Sequence, residues 1–325
     1  MVDGRIWVPE MDMQSLAGYL QTKWVIADDL VLKAGVRQES IDIEVDDYTT
    51  LKLCRSADQC SVPMSVKGDT INYDAATFNF AIKYNGEEQF SPFASYSQGS
   101  DVSDIGRLLR TATVKDIGLI QTDASITDNY EVGFNSQLEN LRFEFALFKS
   151  TSELGTSSVF NETTGVYEPV RAPQRVWGYE ALVDYKLSKT LDLRASYSFV
   201  EGKNTANNTY LGGRQIAPPK FTASLNWQAN DKLSMALNWL YVGDRKRFAM
   251  NDKGQYVADQ GPIDSYNVLS ASASYQLSDN FNAFMGIENL LNNDYYPARA
   301  QAYAYGGYNV KGLGRTITLG VKYSF

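Results

Sequence analysis

The sequence of 325 residues contains no histidine. That removes Ser-His-Asp hydrolases, Cys-His proteases and His-ligated zinc sites, all of which need an imidazole. That absence prunes much of enzymology, and the cationic and aromatic side chains present could bind a ligand by stacking and by charge pairing. Cations gather at Arg107 and Arg110, in the run Arg245, Lys246 and Arg247 of GDRKRF, and at Arg299, beside Tyr295, Tyr296, Tyr303, Tyr305 and Tyr308. The two cysteines, Cys54 and Cys60, stand in CRSADQC. That spacing closes a small loop as a disulfide in an oxidising compartment and otherwise leaves two surface thiols. GGYNVKGLG near 306–314 is glycine-rich but precedes a strand rather than a helix, so its glycines are read as loop bends, not as a phosphate cradle. No enzymatic activity, cofactor or metal is expected.

The elements that would position these residues are strands. The chain ends on RTITLGVKYSF, in which Ile317, Leu319, Val321, Tyr323 and Phe325 alternate with Thr316, Thr318, Gly320, Lys322 and Ser324. A strict period of two describes a strand whose faces see different surroundings. The same alternation runs through Leu191–Phe199, Phe221–Trp227, Leu233–Tyr241 and Leu269–Leu277. Earlier copies are Leu30–Val36, Phe78–Tyr84, Tyr130–Phe134, Leu141–Leu147 and Tyr179–Leu187, with less regular ones at Leu16–Ile26 and Phe90–Tyr96. The count comes to about thirteen strands of roughly nine or more residues, the length that a tilted strand needs to cross a bilayer. Aromatic residues make up 13% of the chain, a bias towards strands.

The connections alternate as well. Tight ones at 27–29, 85–88, 139–141, 188–190, 229–232 and 278–280 are interleaved with long polar ones at about 46–70, 98–126, 157–172, 201–219, 245–265 and 293–313. Short turns on one rim and long loops on the other mark a bacterial outer-membrane barrel, with the long loops outside. A net charge of -8 and a pI near 4.8 argue against a nucleic-acid partner. The mean hydropathy of -0.32 and the lack of any long apolar run exclude a transmembrane helix, but a barrel hides its hydrophobicity at alternate positions. In this setting aromatics near strand ends also serve as interfacial girdles, and loop cations also bind lipopolysaccharide phosphates or pair with acids. Charges expected to face the lumen are Arg37, Lys83, Glu131, Glu144, Glu180, Asp184, Asp192, Arg194 and Glu288, since a dry core would not tolerate them.

Seven segments, in order, resemble the C-terminal half of TonB-dependent outer-membrane receptors, in particular ferric-siderophore receptors. They are LAGYLQTKWVIADDLVLKAGVRQE (16–39), FSPFASYSQGSDVSD (90–104), TDNYEVGFNSQLENLRFEFALF (127–148), RVWGYEALVDYKLSKTLDLRASYSF (175–199), GGRQIAPPKFTASLNW (212–227), GIENLLNNDYYP (286–297) and the terminal strand. The resemblance implies an all-β, transmembrane antiparallel barrel, here about 13 C-terminal strands of a 22-stranded one whose lumen a plug would close. Residues 1–325 are then expected to be the C-terminal part of that barrel, without the plug and the early strands. The start MVDGRIWVPEMDMQ, which lacks a basic and then apolar leader, and the odd strand count fit that expectation.

The activity implied is uptake of a ferric siderophore of the hydroxamate or citrate-hydroxamate type by a monomer in the outer membrane. The partners implied are the TonB-ExbB-ExbD complex, reached through the plug, outer-membrane lipid and lipopolysaccharide, and the outer-membrane assembly machinery. Arg107, Arg110, Arg245, Lys246, Arg247, Tyr295, Tyr296, Arg299, Tyr303, Tyr305 and Tyr308 would meet the siderophore, which is bulky and often anionic. Val321, Tyr323 and Phe325 resemble the terminal signal read by the assembly machinery. The competing readings are a passive general porin, a soluble β-sandwich or adhesin, and a receptor for vitamin B12, haem or a glycan.

Overall fold

A computed structural model describes residues 8–52, 54–56, 59–60, 62–87, 89–102, 105–110, 112, 115–117, 124–153, 156–161, 166–213, 215–250, 253–254, 256, 261–301 and 309–325. In chain order the strands are β1 (Met11–Ile26), β2 (Leu30–Val45), β3 (Tyr48–Thr49), β4 (Cys54–Ser56), β5 (Gln59–Cys60), β6 (Ser65–Val66), β7 (Asp69–Tyr84), β8 (Ser91–Asp101), β9 (Ser125–Gln137) and β10 (Leu141–Ser152). They continue as β11 (Thr156–Asn161), β12 (Val166–Arg171), β13 (Gln174–Ser188), β14 (Leu191–Asn204), β15 (Lys220–Gln228), β16 (Leu233–Val242), β17 (Tyr266–Gln276), β18 (Phe281–Glu288) and β19 (Thr316–Tyr323). Two short helices, α1 (Ile105–Arg110) and α2 (Ala298–Gln301), lie in long connections.

Thirteen strands form one sheet in the order β1-β2-β7-β8-β9-β10-β13-β14-β15-β16-β17-β18-β19, every pair antiparallel. It is an up-and-down meander. The six other strands pair off within the long connections, β3 with β6, β4 with β5 and β11 with β12. The sheet's edges, β1 and β19, are not paired with each other among the described residues.

The register explains the alternation in the sequence. Leu225 lies opposite Leu193 and Leu237, Leu237 opposite Ala271, Ala271 opposite Ile287, and Ile287 opposite Ile317. On this face large apolar side chains, among them Val132, Leu147, Trp239, Met285 and Leu319, are exposed. So much bare apolar surface is what a strand wall offers to lipid. The other face carries the charges anticipated for the lumen. Asp184 stands opposite Arg194, whose Nε donates to Asp184 Oδ1 at 2.5 Å, and Arg142 pairs with Glu144. Arg37 pairs with Glu39 at 3.0 Å, and the Ser15 hydroxyl donates to the same carboxylate.

Three inward-facing phenylalanines lie over glycines on the next strand: Phe93 over Gly133, Phe148 over Gly178 and Phe284 over Gly320. A Cβ on Gly320 would sit 2.2 Å from Phe284 Cζ. Only glycine lets the ring lie flat across the wall at such a place.

Strand length differs around the sheet. β1, β2 and β7 each run 16 residues, while β18 and β19 run 8. Sixteen residues span roughly 50 Å at about 3.3 Å per residue, more than a tilted crossing of the hydrocarbon layer requires. The first strands therefore rise beyond the membrane at the long-loop rim.

Candidate ligand-binding surface

Besides the β11–β12 hairpin, the described residues of the long-loop rim form three assemblies, and the first stands on the tall strands. On β2 and β7 the inward positions change from Lys33, Arg37 and Lys83 near the short turns to Ile41, Ile43, Val45, Ile71 and Tyr73 at the top. α1 and its flanks cover that apolar patch, so that Ile43, Val45, Val66, Ile71, Tyr73, Ile105, Leu109 and Ile117 form one buried cluster. The Tyr48 hydroxyl donates to Leu109 O at 2.8 Å, and burial pushes its phenol up to about 12. Backbone bonds from Lys67 N to Lys115 O (2.9 Å) and from Ile117 N to Lys67 O (3.2 Å) complete the closure. Arg107 and Arg110 are on α1, but their side chains lie outside the described residues.

The second assembly buries a charge pair. Arg245 Nη2 donates to Glu201 Oε1 at 2.6 Å and to Leu211 O at 2.9 Å, and each of the two side chains is 3% exposed. The guanidinium carbon is 4.3 Å from the centre of the Phe248 ring. Arg245, singled out above as a loop cation for a ligand, is thus placed inside, where it joins the loop after β14 to the loop after β16. Its neighbours behave differently. Lys246 is exposed beside Asp244 at 3.5 Å, and Arg247 is exposed.

The third assembly is the connection from β18 to β19, fastened by asparagines. Asn289 is 2% exposed; its Nδ2 donates to Asn293 O (2.9 Å) and Leu313 O (3.0 Å), and its Oδ1 accepts from Asn293 N (2.9 Å). Asn292 Oδ1 accepts from Arg315 N at 2.9 Å. Asn289 and Asn292 have φ of 48° and 54°, the left-handed region that asparagine tolerates better than most residues. This frame sets Tyr295 stacked on Tyr266, with ring centres 4.9 Å apart. Lys311 Nζ lies 3.0 Å from Asp294 Oδ2 and 5.9 Å from the Tyr296 ring centre. The Asp294 carboxylate holds the Lys311 amine above its usual range. Gln301 joins this loop to the one after β16, accepting from Asp264 N at 2.8 Å and donating to Asp264 O at 3.0 Å.

The structure therefore brings Lys246, Arg247, Tyr295, Tyr296 and Arg299 onto adjoining loops, because Arg245 bridges to Ile263 and Asp264 to Gln301. Arg299 is exposed at the centre of α2. Tyr303, Tyr305 and Tyr308 fall outside the described residues. The backbones of Cys54 and Cys60 pair across β4 and β5, and their side chains too are outside the description. Val321 and Tyr323 share the outward face of β19, and Phe325 lies two residues beyond its end. Tyr323 packs on Phe281 at 4.7 Å and on Phe325 at 5.2 Å between ring centres. Ser324 N donates to Asn280 O at 3.0 Å, which ties the last strand to a short turn.

Glu201 and the asparagine frame escaped the sequence reading. Glu201 sat inside an expected loop, but the spacing of Asn289, Asn292 and Asn293 was visible as a turn-forming cluster. The exposed groups at this rim can stack on a ligand and pair with its charge. Among the described residues no group of three His, Cys, Asp or Glu could hold a metal ion.

An antiparallel meander with an exposed apolar outer face, a charged inner face and long loops on one rim only is the wall of an outer-membrane β-barrel. The family model "TonB dependent receptor-like, beta-barrel" matches residues 3–290, and the chain belongs to that family. This bears out the resemblance read from the sequence and leaves the porin and sandwich readings without support. The ferric aerobactin receptor of Klebsiella pneumoniae is 26% identical over 97% of this chain and 44% of its own length. The rhizobactin receptor of Rhizobium meliloti is 23% identical over 96% and 43%. The chain spans less than half the length of these relatives. Among solved structures, the copper transporter OprC superposes with a TM-score of 0.80 at 17% identity, over 97% of this chain and 49% of that one. The ferric-catecholate import receptor Fiu of E. coli K12 gives 0.72 at 18%, over 97% and 45%. At these identities the structural likeness is one of fold.

Proposed function

We propose that the chain is the C-terminal part of an outer-membrane receptor that takes up a ferric siderophore, of hydroxamate or citrate-hydroxamate type, with energy from the TonB-ExbB-ExbD complex. The observation that carries this reading is similarity along nearly the whole chain to receptors named for ferric aerobactin and rhizobactin. The edges of the sheet, which have no second partner strand among the described residues, fit a wall completed by early strands, and its charged inner face fits a lumen filled by a plug. The siderophore would meet the adjoining loops that carry Arg247, Tyr295, Tyr296 and Arg299, with the cations facing its carboxylates and the rings its apolar parts. Arg107, Arg110, Tyr303, Tyr305 and Tyr308 belong to the same proposal, as do a Cys54–Cys60 disulfide in the oxidising periplasm and outside, and a terminal assembly signal at Val321, Tyr323 and Phe325.

The test is a chimera in which this chain follows the plug and early strands of the Klebsiella ferric aerobactin receptor, in a host lacking other siderophore receptors. Labelled iron should enter from ferric aerobactin, and entry should stop when TonB is deleted. Uptake from catecholate complexes only, or uptake independent of TonB, would overturn the reading.

A further inference from the structure

The wall opens above the membrane between β7 and β8. These two strands pair only from Asn79 with Ser97 to Lys83 with Phe93, although β7 stays on β2 as far as Asp69 and β8 stays on β9 as far as Asp101. Residues 69–78, roughly 30 Å of strand at about 3.3 Å per residue, therefore have β2 on one side and no strand on the other among the described residues.

The backbone groups that face this gap can be named. Phe78 N donates to Gln98 Oε1 at 3.2 Å, so the backbone groups of Phe78 point towards β8. The N–H and C=O of a strand residue point to the same side, and the side alternates along the strand. Thr70, Asn72, Asp74 and Ala76 thus open on the gap as well. The Thr70 N–H is taken by Asp69 Oδ1 at 2.8 Å. Side chains cap the row at both ends, and the backbone groups of Asn72, Asp74 and Ala76 between them have no partner among the described residues. All three residues are exposed. Such a row is a template for a further strand.

The two faces of the sheet at this height set what would fit. Inward, Ile43, Val45, Ile71 and Tyr73 are buried against Ile105, Leu109 and Ile117 of the loop that carries α1. Outward, Asp74 borders the gap, and Asp42 and Glu44 on β2 and Asp12 on β1 continue round the same face, all exposed. Asp69 and Asp101, also exposed, end the two diverging edges. No outward position of β1, β2, β7 or β8 above Leu20, Val36, Phe78 and Tyr96 is Lys or Arg. Lys67 and Lys115 are exposed where two loops meet above β7.

We propose that the free edge of β7 takes up, as an added strand, an extended segment of about five residues from another protein at the cell surface, with basic side chains alternating with apolar ones. Main-chain bonds to Asn72, Asp74 and Ala76 hold it. Its basic side chains project outward beside Asp74 and towards Asp42, and its apolar ones continue the inward layer of Ile71 and Tyr73. An acidic strand is repelled at the same place, because like charges on neighbouring strands destabilise the pair. The site needs only the barrel wall and is independent of the cargo.

The chain, folded in detergent and checked by heat-modifiable gel migration, would be titrated with a short fluorescent peptide of alternating lysine and valine. Binding should saturate, a glutamate-valine peptide should bind at least about tenfold more weakly, and the lysine-valine peptide N-methylated throughout should not bind. A76P deletes one donor on the gap side and leaves the bonds to β2, so it should weaken binding about fivefold, as the loss of one hydrogen bond would. D42N/D74N should narrow the preference for lysine over glutamate about threefold or more, while D279N on a short turn should change neither. No saturable binding, equal binding of the N-methylated peptide, or unchanged binding in A76P would overturn the added strand. Equal binding of a peptide with its lysines and valines in two separate blocks would show attraction by charge alone and would overturn it too. Should A76P fail to fold, N72P makes the same deletion at the other end of the row, and unchanged discrimination in D42N/D74N counts against the site.

Discussion

Two parts of the same strands, β2 and β7, obey opposite rules. Towards the short turns, Leu32, Ala34, Val36, Phe78, Phe80 and Ile82 face outward, while Lys33, Arg37, Asn79 and Lys83 face in. Towards the long loops, Ser40, Asp42, Glu44, Asn72 and Asp74 face outward, while Ile41, Ile43, Val45, Ile71 and Tyr73 face in and are covered by the loop that carries α1. The backbone and its register continue unbroken through the change, so the inversion reflects the solvent alone. Lipid lies outside the lower part and polar surroundings within. Water lies outside the upper part, and the protein's own loop covers the inside. The lower part is held by the bilayer and the upper part as a small soluble core would be.

The contrast can be broken at several points. The largest effect is expected at the buried pair in the water-covered rim. Glu201→Ala strands the Arg245 guanidinium and should cost about 3–5 kcal/mol, whereas the double change to Leu and Met should recover most of that loss. Urea unfolding of the refolded chain measures both. Next, Ile71→Ala should cost about 2–5 kcal/mol, and the cost should fall on the loop and not on the wall. Proteolysis should then cut within 102–117 while heat-modifiable migration stays unchanged.

In the lipid-held part, Ala34→Arg should cost about 2–4 kcal/mol, read as a lower folded fraction in vesicles, while Asp42→Arg, higher on the same outward face, should change it by less than about 0.5 kcal/mol. Equal penalties at the two positions would contradict the inversion. The smallest effect concerns pH. The folded value of the Tyr48 phenol, about 12, lies above the ordinary value near 10. Its contribution is therefore complete below about pH 10 and is lost as pH rises through about 12. Loop protection from protease should fall over that interval, and Tyr48→Phe should remove the dependence.

Much of the wall was legible in the sequence because a strand between two solvents repeats with period two. About thirteen strands were expected and thirteen form the sheet, joined by alternating short and long connections as anticipated. What the sequence showed less clearly lies above the membrane. The alternation was read only over Leu30–Val36 and Phe78–Tyr84, because the apolar phase slips beyond them, although the long connection was placed at about 46–70. The structure continues both, to Val45 and from Asp69. The stretch 157–172, expected as a plain connection, contains the hairpin β11–β12. At the candidate site the cationic and aromatic character was visible, but not its partition. Arg245, Lys246 and Arg247 are three consecutive cations of which only the first is buried, and a run of like charges carries no sign of the Glu201 that selects one of them.

By itself the sequence determined the strands, their facing sides and the two unlike rims, since each of these follows from local alternation and turn chemistry. Only the tertiary structure decided which loops meet. It placed α1 over β2 and β7 and closed Arg245 onto Glu201. Such neighbours are separated along the chain and joined only through register, and no short window of sequence contains both members of the pair.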